Sequence, residues 1–402
     1  MFTLSSEVLD KVTDGRPQPR TPTAVILKSA LAMFWARLGS LNALETVSAA
    51  RFWKRWLKHD TVSADTIGRV HAVLDVGQLR NGLHDVYAHL KRNKALPLNL
   101  GLDVAVLDGH EQHASYRRHC PGCRQRTVKT EHRERIQYYH RQVTLMLLPG
   151  PCANRKPLRI LLDCEPMLPG EDEVACARRL LARVLAAYPR AFDLVLADAL
   201  YATAPFLNFL IEHGKHALVV LKDDRRDLYQ DVAGLFAHVA PQHGEHRGRK
   251  CQWWDFPDLV SWPKVKTPLR VVRSLETYSL RRQLDQTIAQ ETSDWVWVTT
   301  LPREQAPTAR IVAWGHQRWD IENYGFNELV NGWEADHIYK HDAKAIEAFL
   351  LLAFLACNLF HAFLSLNVKP QLRDSKPQNY WVRLIAAELY WGAGTAARQR
   401  AP

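Results

Sequence analysis

Leu102-Asp-Val-Ala-Val-Leu-Asp108 and Phe192-Asp-Leu-Val-Leu-Ala-Asp198 are the two stretches on which the reading of this chain turns. Each is an apolar run too short for a stable helix, and each closes on an acid. Continuous apolar runs of this length, with β-branched residues, mark strands buried on both faces. Working outward, Tyr138 to Leu148 (YYHRQVTLMLL) and Leu158 to Asp163 (LRILLD) read as two more strands, punctuated by Pro149-Gly150-Pro151. Val174 to Tyr188 reads as a helix, Ala204 to His213 as a helix stopped by Gly214, and His216 to Lys222 as a further strand. Strands followed by alternating helices and strands define an α/β fold with a mixed sheet flanked by helices.

The rest of the chain falls into segments around that sheet. Residues 1–99 read as helical, with apolar residues at helical spacing in Ala24 to Leu38, Leu44 to Leu57 and Thr66 to Leu90. This segment is expected to be a DNA-binding or assembly region, since Arg51-Phe-Trp-Lys-Arg-Trp-Leu-Lys58 interleaves bases with aromatics; a surface helix with Phe and Trp turned to the core fits as well. Residues 100–224 form the first part of the core and 225–305 a β-rich insertion with strand-like Leu269 to Arg273 and Trp295 to Thr300. Residues 306–366 complete the core, and 367–402 form a C-terminal tail. Ala345 to Leu366 is long enough to span a bilayer, but Glu347, Asn358 and His361 interrupt it, so a buried helix is expected.

Composition narrows the class. The chain has 402 residues, 47% hydrophobic and 24% charged, with a formal net charge of +11. That excess of bases points to a polyanionic partner, most commonly nucleic acid. Seven scattered cysteines argue against a secreted disulfide framework, and Met1 to Arg20 carries Glu7, Asp10 and Asp14 with no apolar core of a signal peptide. A cytoplasmic location and no membrane partner are expected.

In open sheets, ligands gather at the carboxyl ends of strands, the positions read for Asp108 and Asp198. Two such acids in a basic protein suggest a hard-cation site, since Mg²⁺ takes carboxylate oxygens together with substrate phosphates. The third candidate is Glu322 in Gln317-Arg-Trp-Asp-Ile-Glu-Asn323. On a helix Arg318 and Glu322 share a face, so they could address one phosphate and one metal, or form an ordinary exposed salt bridge. Asp320 is the rival acid, two residues away and pointing elsewhere.

Asp108 after VAVL, Leu196-Ala-Asp-Ala-Leu-Tyr201 and Arg318-Trp-Asp-Ile-Glu322 together resemble the Asp, Asp and Glu motifs of DDE-type insertion-sequence transposases, more closely the group with a strand-rich insertion before the Glu. The resemblance covers roughly Ala24 to Leu366. It implies an RNase H-like catalytic fold in which Asp108, Asp198 and Glu322 hold two Mg²⁺ or Mn²⁺ ions, Asp108 bridging both. Water would cut at the element's end, and the freed 3′-OH would then attack target DNA. The partners implied are double-stranded DNA and a second copy of the chain assembled on it. The family signature runs Tyr-x-x-Arg-x-x-x-Glu with a Lys two helical turns later; Arg318 and Glu322 match, whereas Gly315 stands at the Tyr position and Leu329, or Val330, at the Lys position. Asn323, Asn327 and His337 read as surface residues nearby.

Three further features bear on this reading. Arg117 to Arg141 carries eight bases (Arg117, Arg118, Arg124, Arg126, Lys129, Arg133, Arg135, Arg141) against Glu131 and Glu134, and reads as a DNA-backbone contact with a solvated loop as the competitor. Cys120-Pro-Gly-Cys123 has His110, His113, His119, His132 and His140 around it, but no second CxxC; a reduced, metal-free turn is favoured over a zinc site. In related transposases, insertion aromatics can stack on a flipped base; here Trp295 and Trp297 read as one face packing a core, and of Trp253-Trp254 at least one should be exposed on a strand. Glu171-Asp-Glu173 reads as a helix N-terminal acidic cluster. The reading is a DNA transposase. The rivals are a nuclease or degenerate copy on the same fold and a zinc-dependent DNA-binding protein without catalysis.

Overall fold

The computed structural model describes residues 1–48, 50–59, 62–130, 133–152, 156–222, 226–281 and 287–390. Among them are ten strands: β1 (Val104–Ser115), β2 (Arg124–Thr130), β3 (Arg133–Leu147), β4 (Ile160–Pro166), β5 (Leu194–Ala197), β6 (His216–Val220), β7 (Gln242–His246), β8 (Arg249–Leu259), β9 (Leu269–Arg281) and β10 (Ile288–Thr299). With the helices they make a mixed α/β protein, consistent with the RNase H-like fold that the resemblance implies. The chain divides into two interleaved units, one of Met1–Pro97, Gly109–Cys176 and Glu322–Pro402, the other of Leu98–Asp108 and Ala177–Ile321. These cut across the segment boundaries read from the sequence; residues 391–402 of the expected tail, and residues 225 and 282–286 of the expected insertion, lie outside the described residues.

In the second unit, the opening of β1 pairs in parallel with β5, and β5 in parallel with β6. Val104–Leu107, Leu194–Ala197 and Ala217–Val220 are all buried, as strands covered on both faces require. β10 joins β6 antiparallel through Trp297, Val298 and Thr299, and β9, β8 and β7 come next, each antiparallel to the last. The segment after Lys222 is therefore strand-rich, but it opens with a helix, Asp227–His238, and its last strand completes the sheet rather than standing apart.

Both tryptophans of the adjacent pair are buried, contrary to the expectation that one would be exposed. Strand β8 is covered on both sides. Trp254 donates its indole N–H to the Val239 carbonyl at 2.8 Å and lies near Phe236, both from the helix Asp227–His238 and its end. Trp253 bonds Ser274 Oγ at 3.1 Å and fills the space over Gly244, where a Cβ would come within 2.3 Å of its ring. Trp295 and Trp297 stack with ring centroids 6.1 Å apart on one face of β10.

The first unit is organised by the helix Ala343–Asn367, capped by Asp342, whose carboxylate accepts from the Ala345 N–H at 3.0 Å. The helix is long and apolar enough to cross a membrane, and most of its surface is buried within the protein. Helices Thr23–Trp35, Ala64–Ala72 and Val76–Arg92 pack on it, as does β4. Residues 1–97 thus supply helices that cover this helix within the same unit. Each of its three polar interruptions is paired. Asn358 bonds the Leu161 N–H and C=O of β4 at 3.0 and 2.9 Å. Glu347 pairs with Arg80, which also bonds Asp163 at 2.8 Å, and His361 pairs with Glu328 at 2.6 Å. In the short helix Arg51–Leu57, Trp53 is buried while Arg51, Lys54 and Arg55 are exposed, which is the core-facing reading of that stretch.

Two strands in this unit outrun their sequence boundaries. β1 continues past Asp108 to Ser115, and β3 begins at Arg133, where it pairs with β2 from Arg124↔Tyr139 to Thr130↔Arg133. The basic run is thus an antiparallel ribbon rather than a loop, with Glu131 and His132 outside the described residues.

His71 supplies a test of this packing. It is fully buried, stacked on Phe349 at 3.9 Å with its Nδ1 2.8 Å from the Ile67 carbonyl, and burial pushes its pKa down to about 4. The neutral ring therefore contributes stability present above its unfolded pKa of about 6.5 and lost as pH falls toward the folded value. Thermal unfolding from pH 7.5 down to pH 5 should show a falling midpoint, of which His71→Leu removes a part worth about 2 kcal/mol. An unchanged pH profile in His71→Leu would show that this ring titrates normally.

Candidate active site and metal cluster

Asp108 and Asp198 belong to the second unit and follow two strand segments that pair in parallel. β1 and β5 pair one to one from Val104↔Leu194 to Val106↔Leu196. Asp108 and Asp198 each follow two residues beyond the last recorded pair, Val106↔Leu196, at equal distance along the two chains. β5 ends at Ala197, so Asp198 stands at a true strand end, as expected. Asp108 does not: its strand continues, and the acid sits where β1 leaves its partner β5. Asp198 caps the turn Ala199–Tyr201, its Oδ1 accepting from the Leu200 N–H at 2.8 Å, which fixes the carboxylate.

Arg318 comes directly after the helix Thr308–Gln317 and points at Asp108, Nη1 to Oδ2 at 3.5 Å, with its guanidinium 4.1 Å from the Trp319 ring centroid. It is only 7% exposed, so it is not the exposed helix salt-bridge partner that periodicity allowed. Its charge offsets the Asp108 carboxylate at the rim of an apolar sheet. Glu322 opens the final segment of the first unit and lies half-buried in a π-helical turn, Ile321–Phe326.

Two departures from the family signature have physical causes. A Cβ on Gly315 would come within 2.4 Å of the Trp297 indole, so the ring from β10 occupies the place of a side chain at the Tyr position. Leu329 is 4% exposed and faces the core. The π-turn adds a residue to the helical repeat, which rotates the residues beyond it and turns the position expected for Lys inward. Asn323, Asn327 and His337 are exposed, as read.

The basic ribbon is partly spent on its own architecture. Arg126 makes a two-pronged bond to Glu111 at 2.8 and 2.8 Å, and Arg124 donates to the Leu168 and Glu171 carbonyls at 2.8 Å. Arg135 lies over Tyr116 at 4.2 Å, and Lys129 is 3.7 Å from Glu134. Arg117, Arg118 and Arg133 are exposed. Glu171 and Glu173 also serve as anchors, Glu173 pairing with Arg141 at 2.6 Å.

A second cluster lies in the first unit. Cys120, Cys123, His140 and His341 place one donor atom each within 4.8 Å of every other. His341 is the member that sequence reasoning misses, because it is more than two hundred residues from the CxxC and no spacing rule reaches it. His110, His113 and His119 are not members. Burial holds the His140 imidazole neutral, its pKa pushed down to about 4.

Gly315→Ala should destabilise the protein by about 1–3 kcal/mol through overpacking, although alanine favours helix. Trp297→Leu should also destabilise it, and the double variant should cost clearly less than the two singles combined. Strict additivity in denaturant titrations would show that the two positions do not share one space.

No curated protein matches the chain. The family model described as "Transposase DDE domain" matches residues 170–359, a span that contains Asp198, Arg318 and Glu322 and leaves Asp108 outside. With the mixed α/β fold, that match gives residues 170–359 as a transposase DDE domain and supports a DDE-type transposase.

Proposed function

We propose that the chain is a DNA transposase that hydrolyses phosphodiester bonds at element ends and joins the freed 3′-OH to target DNA. The observation that supports this reading is the match of residues 170–359 to a transposase DDE domain, a span that contains Asp198, Arg318 and Glu322, with Arg318 lying against Asp108. Two carboxylates on adjacent strands at a polar rim suit Mg²⁺ or Mn²⁺, with Glu322 as the third ligand. When bound, such ions lower the barrier to in-line displacement by activating the attacking oxygen and stabilising the leaving one.

The chain's own residues have distinct tasks in this reading. Asp198, already tied to the Leu200 N–H, presents its other oxygen with little rotational freedom. Arg318 holds Asp108 and keeps its charge compensated before a cation arrives. Arg117, Arg118 and Arg133 are the exposed bases left to meet phosphate, so the DNA contact falls on fewer residues than the run contains. A second copy of the chain on the DNA belongs to the same proposal.

A nuclease or inactive copy is the second reading, favoured by the loss of the Tyr and Lys positions to Trp297 and to a core-facing Leu329. The experiment is a strand-transfer assay with the DNA flanking the gene, in Mg²⁺ or Mn²⁺. Cutting and joining are expected. Asp108→Asn, Asp198→Asn and Glu322→Gln should each lower both on the order of 10²–10³-fold, the scale of removing one preorganised electrostatic group, while DNA binding persists. Cutting without joining would support the nuclease, and neither activity would refute the proposal.

A further inference from the structure

We infer that Cys120, Cys123, His140 and His341 form a structural zinc site that ties the basic ribbon to the start of the helix Ala343–Asn367. The inference concerns the first unit alone and does not depend on the transposase reading.

Geometry carries it. Zinc holds thiolates at about 2.3 Å and imidazoles at about 2.0–2.1 Å in a tetrahedron, whose edges are then roughly 3.8 Å between sulfurs and 3.6 Å between sulfur and nitrogen. Here the two Sγ atoms are 3.8 Å apart, too far for a disulfide. His140 Nε2 lies 3.4 Å from Cys120 Sγ and 3.2 Å from Cys123 Sγ, and His341 Nε2 is 3.5 Å from Cys123 Sγ. Four of the six edges thus have the spacing of a zinc shell, and the two to His341 from Cys120 and His140 lie within 4.8 Å. No carboxylate belongs to the set, which sets it apart from a hard-cation site.

The backbone is shaped to match. The Cys123 N–H bonds the Cys120 carbonyl at 3.0 Å, closing a tight turn, and the Cys120 N–H points at Cys123 Sγ at 3.2 Å. A Cβ on Gly122 would come within 2.7 Å of Ala343 Cβ, so the turn is seated against the first residue of the long helix. His341 immediately precedes the capping residue Asp342. Binding exchanges two thiol protons for one Zn²⁺, and two thiolates with two neutral imidazoles leave the centre without net charge. The ion would thereby join the turn after β1, the start of β2 and β3 to a segment more than two hundred residues away.

The full chain, purified without chelator, should contain one zinc per molecule by elemental analysis. Replacement by Co²⁺ should give the visible absorption of a tetrahedral ion together with sulfur charge transfer. His341→Ala and Cys123→Ser should lose the metal and the cobalt spectrum, and Cys152→Ser, a cysteine outside the cluster, should keep both. Should the first two variants fail to fold, chelation of the wild-type chain decides. It should lower the thermal midpoint and speed amide exchange in Arg124–Thr130, with zinc restoring both. Absence of stoichiometric zinc together with no tetrahedral cobalt spectrum would reduce the cluster to thiol–imidazole hydrogen bonds and overturn the inference. So would zinc retained in His341→Ala.

Discussion

Covering the helix Ala343–Asn367 is the constraint around which the first unit is built. A helix that is apolar around most of its circumference cannot rest on one partner, because each uncovered side chain of leucine size forfeits roughly 2 kcal/mol of burial. Three helices from the first ninety-two residues and a strand from the middle of the chain close over it. The few polar groups on it act as addresses: Asn358 completes the backbone bonding of Leu161, and Glu347 meets Arg80, itself paired with Asp163. Burial would lower the Arg80 pKa, but the pull of Asp163 and Glu347 outweighs it and raises it instead. Losing one member of such a buried set leaves a charge uncompensated, commonly worth about 3–5 kcal/mol.

In the second unit, strand register does for the acids what packing does for the helix. A shift of one residue between β1 and β5 would turn Asp108 and Asp198 to opposite faces. That register is held by the buried runs on both strands, so the same residues that build the apolar core set where each acid leaves its strand. Arg318 reaches this pair from the end of a helix far along the chain.

Much of this is legible in the sequence because it is local. The apolar runs of β1, β5 and β6, the helices between them and the strand-rich stretch after Lys222 emerge from periodicity and punctuation. The acids stand out because each closes a buried run. The features that stay hidden depend on distant partners. Nothing in Cys120-Pro-Gly-Cys123 announces His341, and nothing in Trp253-Trp254 announces the helix that covers the second ring. Arg318 reads as exposed because helical spacing suggests an ordinary surface salt bridge, whereas the residue is buried and lies against Asp108. β1 reads as ending at Asp108 because its burial ends there, although its strand continues to Ser115. The phase of the helix beyond Glu322 cannot be counted, since a π-turn breaks the repeat on which such counting rests.

The ring of Trp297 resting where residue 315 would extend a side chain has a meaning for how such chains diverge. The two residues lie on different elements yet compete for one volume, so neither can be read in isolation from the other. A lineage that regains an aromatic hydroxyl at 315 must first empty 297, and one that acquires a bulky ring at 297 surrenders the signature position at the same moment. Across relatives these two columns should therefore change together, and a motif scored one column at a time would record as decay what is an exchange of occupants.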